Sequence, residues 1–446
     1  PDAAQVQDLD ARAHYLDRAH VFHSWSAQGA LDPMVVAGGL GSHVWDHAGR
    51  RYLDFSSQLV NVNIGHQHPA VVAAIQEQAA LLTTISPPTA HLARGEAARR
   101  ITDRAPAGMN KVFFTNGGAD AVENAIRMAR LHTGRDKVIS RYRSYHGNTG
   151  AAVVATGDWR RVPNEYARGH VHTFGPYLYR SEFWATTPEE EGERALQHLR
   201  RVIECEGPSG IAAVLLETIP GTAGVLVPPP GYLAGVRRLC DAHGIVLILD
   251  EVMAGFGRTG EWFALDGIDG GAAEIRPDLI AFAKGVNSGY VPVGGVVISD
   301  DIAAGFDETV FPGGLTYSGH PLAAASIVAA LDAMESEGIV ANAKRIGADV
   351  LGPGLRELAE KHPVVGEVRG TGVFWAIELV SDADARTPVA PAVIGRAKKE
   401  MLARGLLPFA ADNRIHAVPP CVVTDDEVAH ALSVYDDVLT LLDEEL

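Results

Sequence analysis

The sequence predicts an α/β protein: a large domain built on a mostly parallel sheet of seven strands, followed by a smaller α+β unit. From about residue 110 to 300, short apolar runs alternate with amphipathic segments, which is the rhythm of strand–helix–strand units. The last hundred or so residues instead show long helical patterns around strand material from Gly366 to Leu379. These two observations set the fold class and its order along the chain.

Six apolar runs are the strand candidates of the large domain. They are Lys111 to Thr115, Lys137 to Arg141, Ile211 to Leu216, Ile245 to Leu249, Leu279 to Phe282 and Gly294 to Ile298. After the first of them, Ala119, Val122, Ile126 and Ala129 recur at helical spacing. That spacing predicts an amphipathic helix whose apolar face packs against the sheet.

The two ends of the chain are predicted to form the smaller unit together. Ser42 to Asp46 and Arg51 to Phe55 read as a hairpin around a turn at Gly49. Near the other end, Thr424 followed by Glu427 is a capping-box pattern that predicts a helix start. We therefore expect an N-terminal segment at 1–60 that belongs to the small domain, a large domain at 61–330 and a C-terminal small domain at 331–446.

Composition excludes several classes of protein. The 446 residues carry a formal charge of −17, which argues against a nucleic-acid binder. No apolar run approaches the roughly 18 residues of a membrane span, and the start, Pro1 to Gln5, is unlike a signal peptide. The three cysteines lack metal-ligand spacing, so no metal site is expected. We expect a cytoplasmic protein that acts on small molecules.

Lys284 and Asp250 are the most informative pair of residues. Each follows an apolar strand candidate, and parallel sheets bind ligands at the carboxyl ends of their strands. A lysine amine there can form a Schiff base, and a buried carboxylate can keep a heteroaromatic nitrogen protonated. The plainer alternative is a solvated lysine and an aspartate that caps the next helix.

Other residues predicted at the same edge of the sheet support the interpretation of Lys284 as a Schiff-base lysine. Gly117, Gly118 and Ala119 join a strand to the amphipathic helix, where backbone amides and the helix dipole attract an anion. An ordinary helix start with glycine for turning is the alternative. Tyr145 follows the next strand and offers a flat ring for stacking, while a branched side chain follows Asp250 at Val252. Glu217 ends a further strand.

These motifs resemble those of the class III aminotransferases, enzymes of fold type I that depend on pyridoxal 5'-phosphate (PLP), and the likeness covers nearly the whole chain. Asn116 to Glu123 is similar to the family's phosphate-binding turn, and Tyr145-His146-Gly147 to its ring-stacking motif. Asp250 to Gly260 matches its central signature, and Lys284-Gly285 falls where its Schiff-base lysine lies. Gly314 to Pro321 is similar to a segment whose threonine reaches the phosphate in the neighbouring subunit.

The resemblance implies a role for each of these residues. Lys284 holds PLP as a Schiff base and moves the proton, and Asp250 keeps the ring nitrogen protonated. Tyr145, with His146 beside it in the motif, and Val252 enclose the ring. The phosphate is held by Gly117, Gly118 and Ala119, and by Thr316 from a partner chain. Glu217 lies on the substrate side of the cofactor. The resemblance implies a homodimer with shared sites and leaves further assembly into tetramers open.

Substrate choice depends on fewer signals. Many ω-aminotransferases carry a mobile arginine upstream of a Pro-Pro pair, and that position is Phe409 in this chain. Arg414, Arg141 and Arg143 are the alternative candidates for gripping a carboxylate or sulfonate. Leu59 lies in a loop, Ser56 to His66, that resembles the amine-pocket loop of the taurine and β-alanine branch.

The sequence thus predicts an aminotransferase that works by a ping-pong cycle through a Lys284 Schiff base. The donor is an ω-amine or amino acid of the taurine, β-alanine, 4-aminobutyrate or diamine type, and the acceptor is pyruvate or 2-oxoglutarate. One alternative keeps the cofactor and changes the reaction to that of an aminomutase or racemase. More distant alternatives are a binding protein that has lost its chemistry and a nucleotide-binding α/β protein.

Overall fold

The computed structural model describes residues 8–445 of the 446. Pro1 to Gln5, on which the expectation about a targeting segment rests, lie outside the described residues. No helix between residues 8 and 445 is long and apolar enough to cross a membrane. In the same range, no group of three or more histidine, cysteine, aspartate or glutamate side chains is placed to hold a metal ion.

The elements alternate between strands and helices over the middle of the chain and are helix-rich at its end. The strands are β1 (Gly38–Leu40), β2 (His43–Trp45), β3 (Arg51–Asp54), β4 (Lys111–Thr115), β5 (Lys137–Arg141), β6 (His170–Thr173), β7 (Ile211–Glu217), β8 (Val246–Asp250), β9 (Leu279–Phe282), β10 (Gly294–Ile298), β11 (Val365–Thr371), β12 (Phe374–Asp382), β13 (Thr387–Pro388), β14 (Leu406–Leu407), β15 (Phe409–Ala411) and β16 (Arg414–Ala417). The α-helices are α1 (Leu9–His20), α2 (Ser57–Val60), α3 (Pro69–Leu81), α4 (Leu92–Thr102), α5 (Gly118–Thr133), α6 (Gly150–Ala155), α7 (Pro188–Glu206), α8 (Tyr232–His243), α9 (Gly271–Ile275), α10 (Asp300–Ala304), α11 (Pro321–Ser336), α12 (Ile339–Ile346), α13 (Gly352–Lys361), α14 (Pro391–Ala403) and α15 (Asp425–Asp443).

A seven-stranded sheet forms the centre, in the order β4-β10-β9-β8-β7-β5-β6. All neighbours are parallel except β10, which runs antiparallel to both β4 and β9. The prediction of a mostly parallel seven-stranded sheet is therefore confirmed, and all six strand candidates are present. The bounds of two strands differ, because β7 continues to Glu217 and β8 runs from Val246 to Asp250.

The seventh strand, β6, was missing from the sequence-based assignment. It is a short strand, His-Val-His-Thr, at the edge of the sheet, and β5 is its one partner among the strands of residues 8–445. An edge strand is covered less completely than a central one and so needs no continuous apolar run. The apolar signal that identified the central strands is absent from it.

Strand register brings the predicted functional residues to one edge. Glu217 lies directly opposite Asp250 on the neighbouring strand, and Asp250 lies opposite Ala281 of β9. Lys284 follows two residues after β9 ends. The predicted helix is α5, whose stripe residues Val122 and Ile126 are buried against the sheet. Parallel strands end at the same side of the sheet, so all these residues lie at its carboxyl edge.

The two ends of the chain meet in a second sheet. The predicted hairpin is confirmed as β2 and β3, with Gly49 at a φ of 83° in the turn. β3 then pairs in parallel with β14, which joins the N-terminal segment to the C-terminal region. The capping box of Thr424 and Glu427 is also confirmed, at the start of α15. The division of the chain at residues 60 and 330 stays a prediction that this pairing supports.

Candidate active site

A cavity of about 740 Å³ opens at the carboxyl edge of the central sheet. The C-terminal strands β15 and β16 close it from the other side, so both halves of the chain contribute to its wall. Six of the residues singled out from the sequence are among those that line it: Leu59, Arg143, Tyr145, Lys284, Phe409 and Arg414. The fold therefore brings residues from positions 59 to 414 around one space.

Lys284 is placed in an unusual backbone conformation. Its φ of 44° lies in the left-handed region, which non-glycine residues avoid because of steric strain. Burial lowers the pKa of its amine, while the nearby carboxylates of Asp250 and Glu217 act in the opposite direction. Within residues 8–445 the amine forms no ion pair and no hydrogen bond. The result is an amine that is easier to deprotonate than an exposed lysine.

Asp250 is bound to His146 in a buried pair. The two side chains are 5% and 0% exposed, and His146 Nδ1 donates to Asp250 Oδ2 at 2.8 Å. The backbone N–H of Val252 donates to the other carboxylate oxygen at 3.0 Å. His146 Nε2 is buried and has no partner among the described residues. The resemblance placed His146 in the ring-stacking motif. In the structure, His146 instead forms a hydrogen bond to Asp250 and orients its carboxylate.

Glu217 holds the backbone of the neighbouring loops. Its carboxylate accepts hydrogen bonds from the N–H groups of Tyr145 and Gly221, both at 3.0 Å. Burial raises the pKa of Glu217, His146 acts to lower it, and the charge of Asp250 raises it further. Glu217 is thus placed to fix the position of Tyr145, whose ring lines the cavity.

The start of α5 packs closely against the strand ends, and glycines make this possible. A Cβ at Gly118 would lie 2.8 Å from Val252 Cγ1, too close for any other residue without a shift. A Cβ at Gly147, where φ is 129°, would lie 2.5 Å from Ala119 Cβ. The N-terminus of α5 therefore lies close to Val252. Backbone N–H groups at a helix N-terminus are free to bind an anion.

Thr316 lies apart from these residues. It is exposed on a turn ahead of α11 and is not among the residues that line the cavity. Ser318 of the same turn donates to the carbonyl of Phe114 at 2.8 Å, which ties the turn to β4.

The loop that carries Leu59 is held by a buried aspartate. Asp54 accepts hydrogen bonds from the Ser56 hydroxyl at 2.6 Å, from the Gln58 side chain at 2.9 Å and from His66 at 2.8 Å. Burial acts to raise the pKa of Asp54, but these hydrogen bonds outweigh it and lower the pKa. Leu59 itself stays 49% exposed and lines the cavity. An apolar side chain is thereby kept at the entrance.

The four candidates for substrate recognition on the C-terminal strands and at or just after the end of β5 differ in their surroundings. Phe409 packs on His416, with ring centroids 4.7 Å apart. Arg414 pairs with Asp412 through Nη2, and Arg143 donates from Nη2 to Glu182 at 3.0 Å. Arg141 is buried outside the set of lining residues and donates to backbone carbonyls, which argues against a contact with substrate.

Several further residues that line the cavity were missed by the sequence reasoning, among them Trp25, Trp159, Arg160 and Arg180. The guanidinium of Arg160 lies 3.7 Å from the centre of the Tyr145 ring, and the ring of Trp25 meets the same tyrosine edge-on at 6.2 Å. Trp25, Trp159 and Arg160 lie in loops, and Arg180 lies in a short 3-10 turn of the connection that follows the edge strand β6. No local pattern connects such loop residues to the carboxyl edge, and only the assembled fold places them there.

The family of the protein follows from comparison with known proteins. The family model described as aminotransferase class-III matches residues 26–439. The chain belongs to the class III aminotransferases. This aminotransferase is 34% identical over 444 residues to a putrescine–pyruvate aminotransferase of Pseudomonas aeruginosa, covering 97% of this chain and 93% of the relative.

Solved structures agree with that assignment. The enzyme superposes with a TM-score of 0.94 and 40% identity on a taurine:2-oxoglutarate aminotransferase from Bifidobacterium kashiwanohense in complex with PLP and glutamate, covering 99% of this chain and all of that one. An (S)-enantioselective ω-transaminase from Thermomicrobium roseum gives 0.90 and 35%, covering 96% and 98%. The fold is that of the fold type I PLP enzymes, and the predicted family, fold and activity are confirmed.

The cofactor of the enzyme is PLP, as in other class III aminotransferases. The residues present fit such a group. The amine of Lys284 and the carboxylate of Asp250 face the same region without pairing with each other. The glycine-lined start of α5 offers unblocked backbone N–H groups for a phosphate. The aromatic ring of Tyr145 provides a flat surface at the cavity.

Proposed function

We propose that this aminotransferase moves an amino group from an ω-amine or amino acid donor to pyruvate or 2-oxoglutarate by a ping-pong cycle. The donor class is that of taurine, β-alanine, 4-aminobutyrate and diamines. The observation that carries the proposal is a cavity lined by one half-buried lysine, Lys284, and by several arginines. The relatives that act on taurine with 2-oxoglutarate and on putrescine with pyruvate support the same substrate classes.

In this proposal Lys284 and Asp250 are the catalytic residues. When bound, PLP supplies an electron sink for the negative charge that develops on the substrate carbon. In the PLP-loaded enzyme Lys284 would hold the cofactor through Nζ, would be released by the substrate amine and would then carry a proton through the same atom. Asp250 would keep the ring nitrogen protonated, and the hydrogen bond from His146 holds its carboxylate in place.

The remaining contacts hold the cofactor in position. The backbone N–H groups at Gly117, Gly118 and Ala119 would bind the phosphate at the start of α5. Tyr145 and Val252 would enclose the ring, and Glu217 supports Tyr145 through its backbone.

The substrate pocket is proposed to be formed by Leu59, Arg143, Phe409 and Arg414. Phe409 and Leu59 give apolar surface for a methylene chain, and the arginines attract a carboxylate or sulfonate. Because Phe409 occupies the position of the mobile arginine in many relatives, carboxylate binding here depends on arginines elsewhere in the wall.

The functional unit is proposed to be a homodimer in which Thr316 contacts the phosphate bound by the partner subunit. Arg94 donates to the carbonyls of Pro87 and Gly319, both at 2.8 Å, and so ties two exposed loops together. Leu92 and Tyr317 beside them are 80% and 59% exposed, which indicates a surface to be covered.

Light scattering should give twice the chain mass of 47.4 kDa. The variant Thr316→Ala should bind PLP about tenfold more weakly than wild type, and unchanged affinity argues against a shared site.

The substrate assignment can be tested by visible absorbance of the holoenzyme. Taurine, β-alanine, 4-aminobutyrate, putrescine and L-alanine are added singly, and the cofactor band is followed. We expect one ω-amine to bleach the band and one of pyruvate or 2-oxoglutarate to restore it. Bleaching by L-alanine alone contradicts the ω-amine assignment. Rearrangement or racemisation of an amine with no keto acid present indicates the aminomutase or racemase alternative.

A further inference from the structure

A buried carboxylate, Glu378 on β12, connects the large domain to the C-terminal sheet beside the cavity. Its side chain is 0% exposed. It accepts a hydrogen bond from the Tyr177 hydroxyl and one from Arg180 Nε at 2.6 Å, and it forms an ion pair with Arg369 at 2.8 Å. Asn413 also donates to it, at 3.4 Å. Three of these four partners, all except Arg369, line the cavity.

Glu378 is charged at neutral pH because of these partners. Burial acts to raise the pKa of Glu378, but Arg369 and the hydrogen bonds from Tyr177 and Arg180 lower it to about 2. A buried carboxylate of this kind is costly unless it is paired and fully hydrogen-bonded, and here both conditions are met.

The arginines of the cavity wall differ in which nitrogen meets a carboxylate. Arg143, Arg160 and Arg414 each use a terminal nitrogen, Nη2, for the pairs with Glu182, Asp158 and Asp412. Arg180 uses only Nε: its Nη2 is buried without a partner, and its Nη1 forms no hydrogen bond or ion pair in the described part of the chain. The side chain is 24% exposed. Among these four arginines, Arg180 alone has both terminal nitrogens unpaired. Two such nitrogens can bind a carboxylate or a sulfonate together.

We propose that Glu378 is a positioning residue that holds Arg180 by Nε and so directs its terminal nitrogens to the anionic end of the substrate. That end is the sulfonate of taurine or the distal carboxylate of 2-oxoglutarate. The inference rests on the proposed function, since it assigns the substrate's far end to one part of the same cavity. Diamines and pyruvate lack such a distal anion and do not use this contact.

The variant Glu378→Gln tests the proposal in the PLP-loaded enzyme. Glutamine keeps the size of the side chain but removes the charge that fixes Arg180. We expect KM for taurine and for 2-oxoglutarate to rise about tenfold, with kcat within about twofold of wild type. KM for putrescine and pyruvate should stay unchanged. A uniform loss with all substrates indicates a structural role only and overturns the proposal.

Glu367→Gln is the matched control. Glu367 lies opposite Glu378 on the neighbouring strand β11 and pairs with the same Arg369, but it forms no hydrogen bond or ion pair with Arg180. We expect its KM values to equal those of wild type. Equal KM changes in both variants would show that the effect comes from Arg369 and the sheet, not from Arg180.

Two further measurements keep the test decisive if Glu378→Gln folds poorly. Arg180→Leu should reproduce the selective rise in KM, and adding Glu378→Gln to it should give no further rise. Glutarate, an unreactive dicarboxylate, should raise the melting temperature of the wild-type and Glu367→Gln holoenzymes more than that of Arg180→Leu. Equal shifts contradict the inference. Failure of every amine and keto acid with the wild-type enzyme overturns the proposed function instead.

Discussion

Replacing Lys284 by alanine is expected to abolish turnover, with a loss of at least about 10³-fold in kcat. The side chain is the covalent anchor and the proton carrier of the proposed mechanism, and its burial lowers the pKa of the amine toward the range where it can act as a base. The left-handed backbone at this residue fixes the direction of the side chain. Steady-state assays and the visible spectrum of the purified variant measure the effect.

Lys344→Ala is the control for that experiment. Lys344 is an exposed lysine that pairs with Glu261 at 2.6 Å, away from the cavity, and its loss should leave activity within about twofold. A small amine such as methylamine, added to the Lys284→Ala enzyme, should restore part of the proton transfer. Full activity of Lys284→Ala without any added amine is incompatible with the proposed role.

Replacing Arg258 by leucine is expected to destabilise the fold by about 3 kcal/mol or more. Arg258 is 0% exposed and donates to the carbonyls of Val373 and Pro419, to the Ser57 hydroxyl at 3.3 Å and to the Asn63 amide oxygen at 2.6 Å. Leucine fills much of the space but leaves these acceptors without a donor, at about 1–3 kcal/mol for each buried group.

The measurement is the urea midpoint of the holoenzyme, followed by circular dichroism. Arg345→Leu serves as the control, because Arg345 is a half-exposed arginine that pairs with Asp425 at the surface. We expect its midpoint to stay close to that of wild type, since exposed ion pairs contribute about 0–1 kcal/mol. If both variants unfold at the wild-type midpoint, Arg258 does not hold the N-terminal segment to the C-terminal region.

Sequence alone was sufficient for six of the seven strands of the central sheet, all but the edge strand β6, and for the residues at their ends. Continuous apolar runs mark buried parallel strands, and the residue after each run must lie at the carboxyl edge whatever the rest of the fold does. Lys284, Asp250 and Glu217 could be placed for that reason. The glycines before α5 could be placed too, because a strand-to-helix junction needs them locally. The resemblance to class III aminotransferases, carried by these motifs, gave the family, which the comparisons confirm.

Tertiary structure decided what fills the far side of the cavity. Arg180 lies in a loop after an edge strand, and Glu378 is one polar residue inside an apolar strand of another sheet. No sequence pattern in either segment predicts this contact. The contact depends on how two sheets pack against each other, whereas the spacing of apolar residues reports only the local helix or strand. The same limit applied to Arg141 and Arg143, which are two residues apart: one is buried away from the cavity and the other lines it. Chemistry at strand ends follows from sequence order, whereas the substrate pocket depends on packing between distant segments.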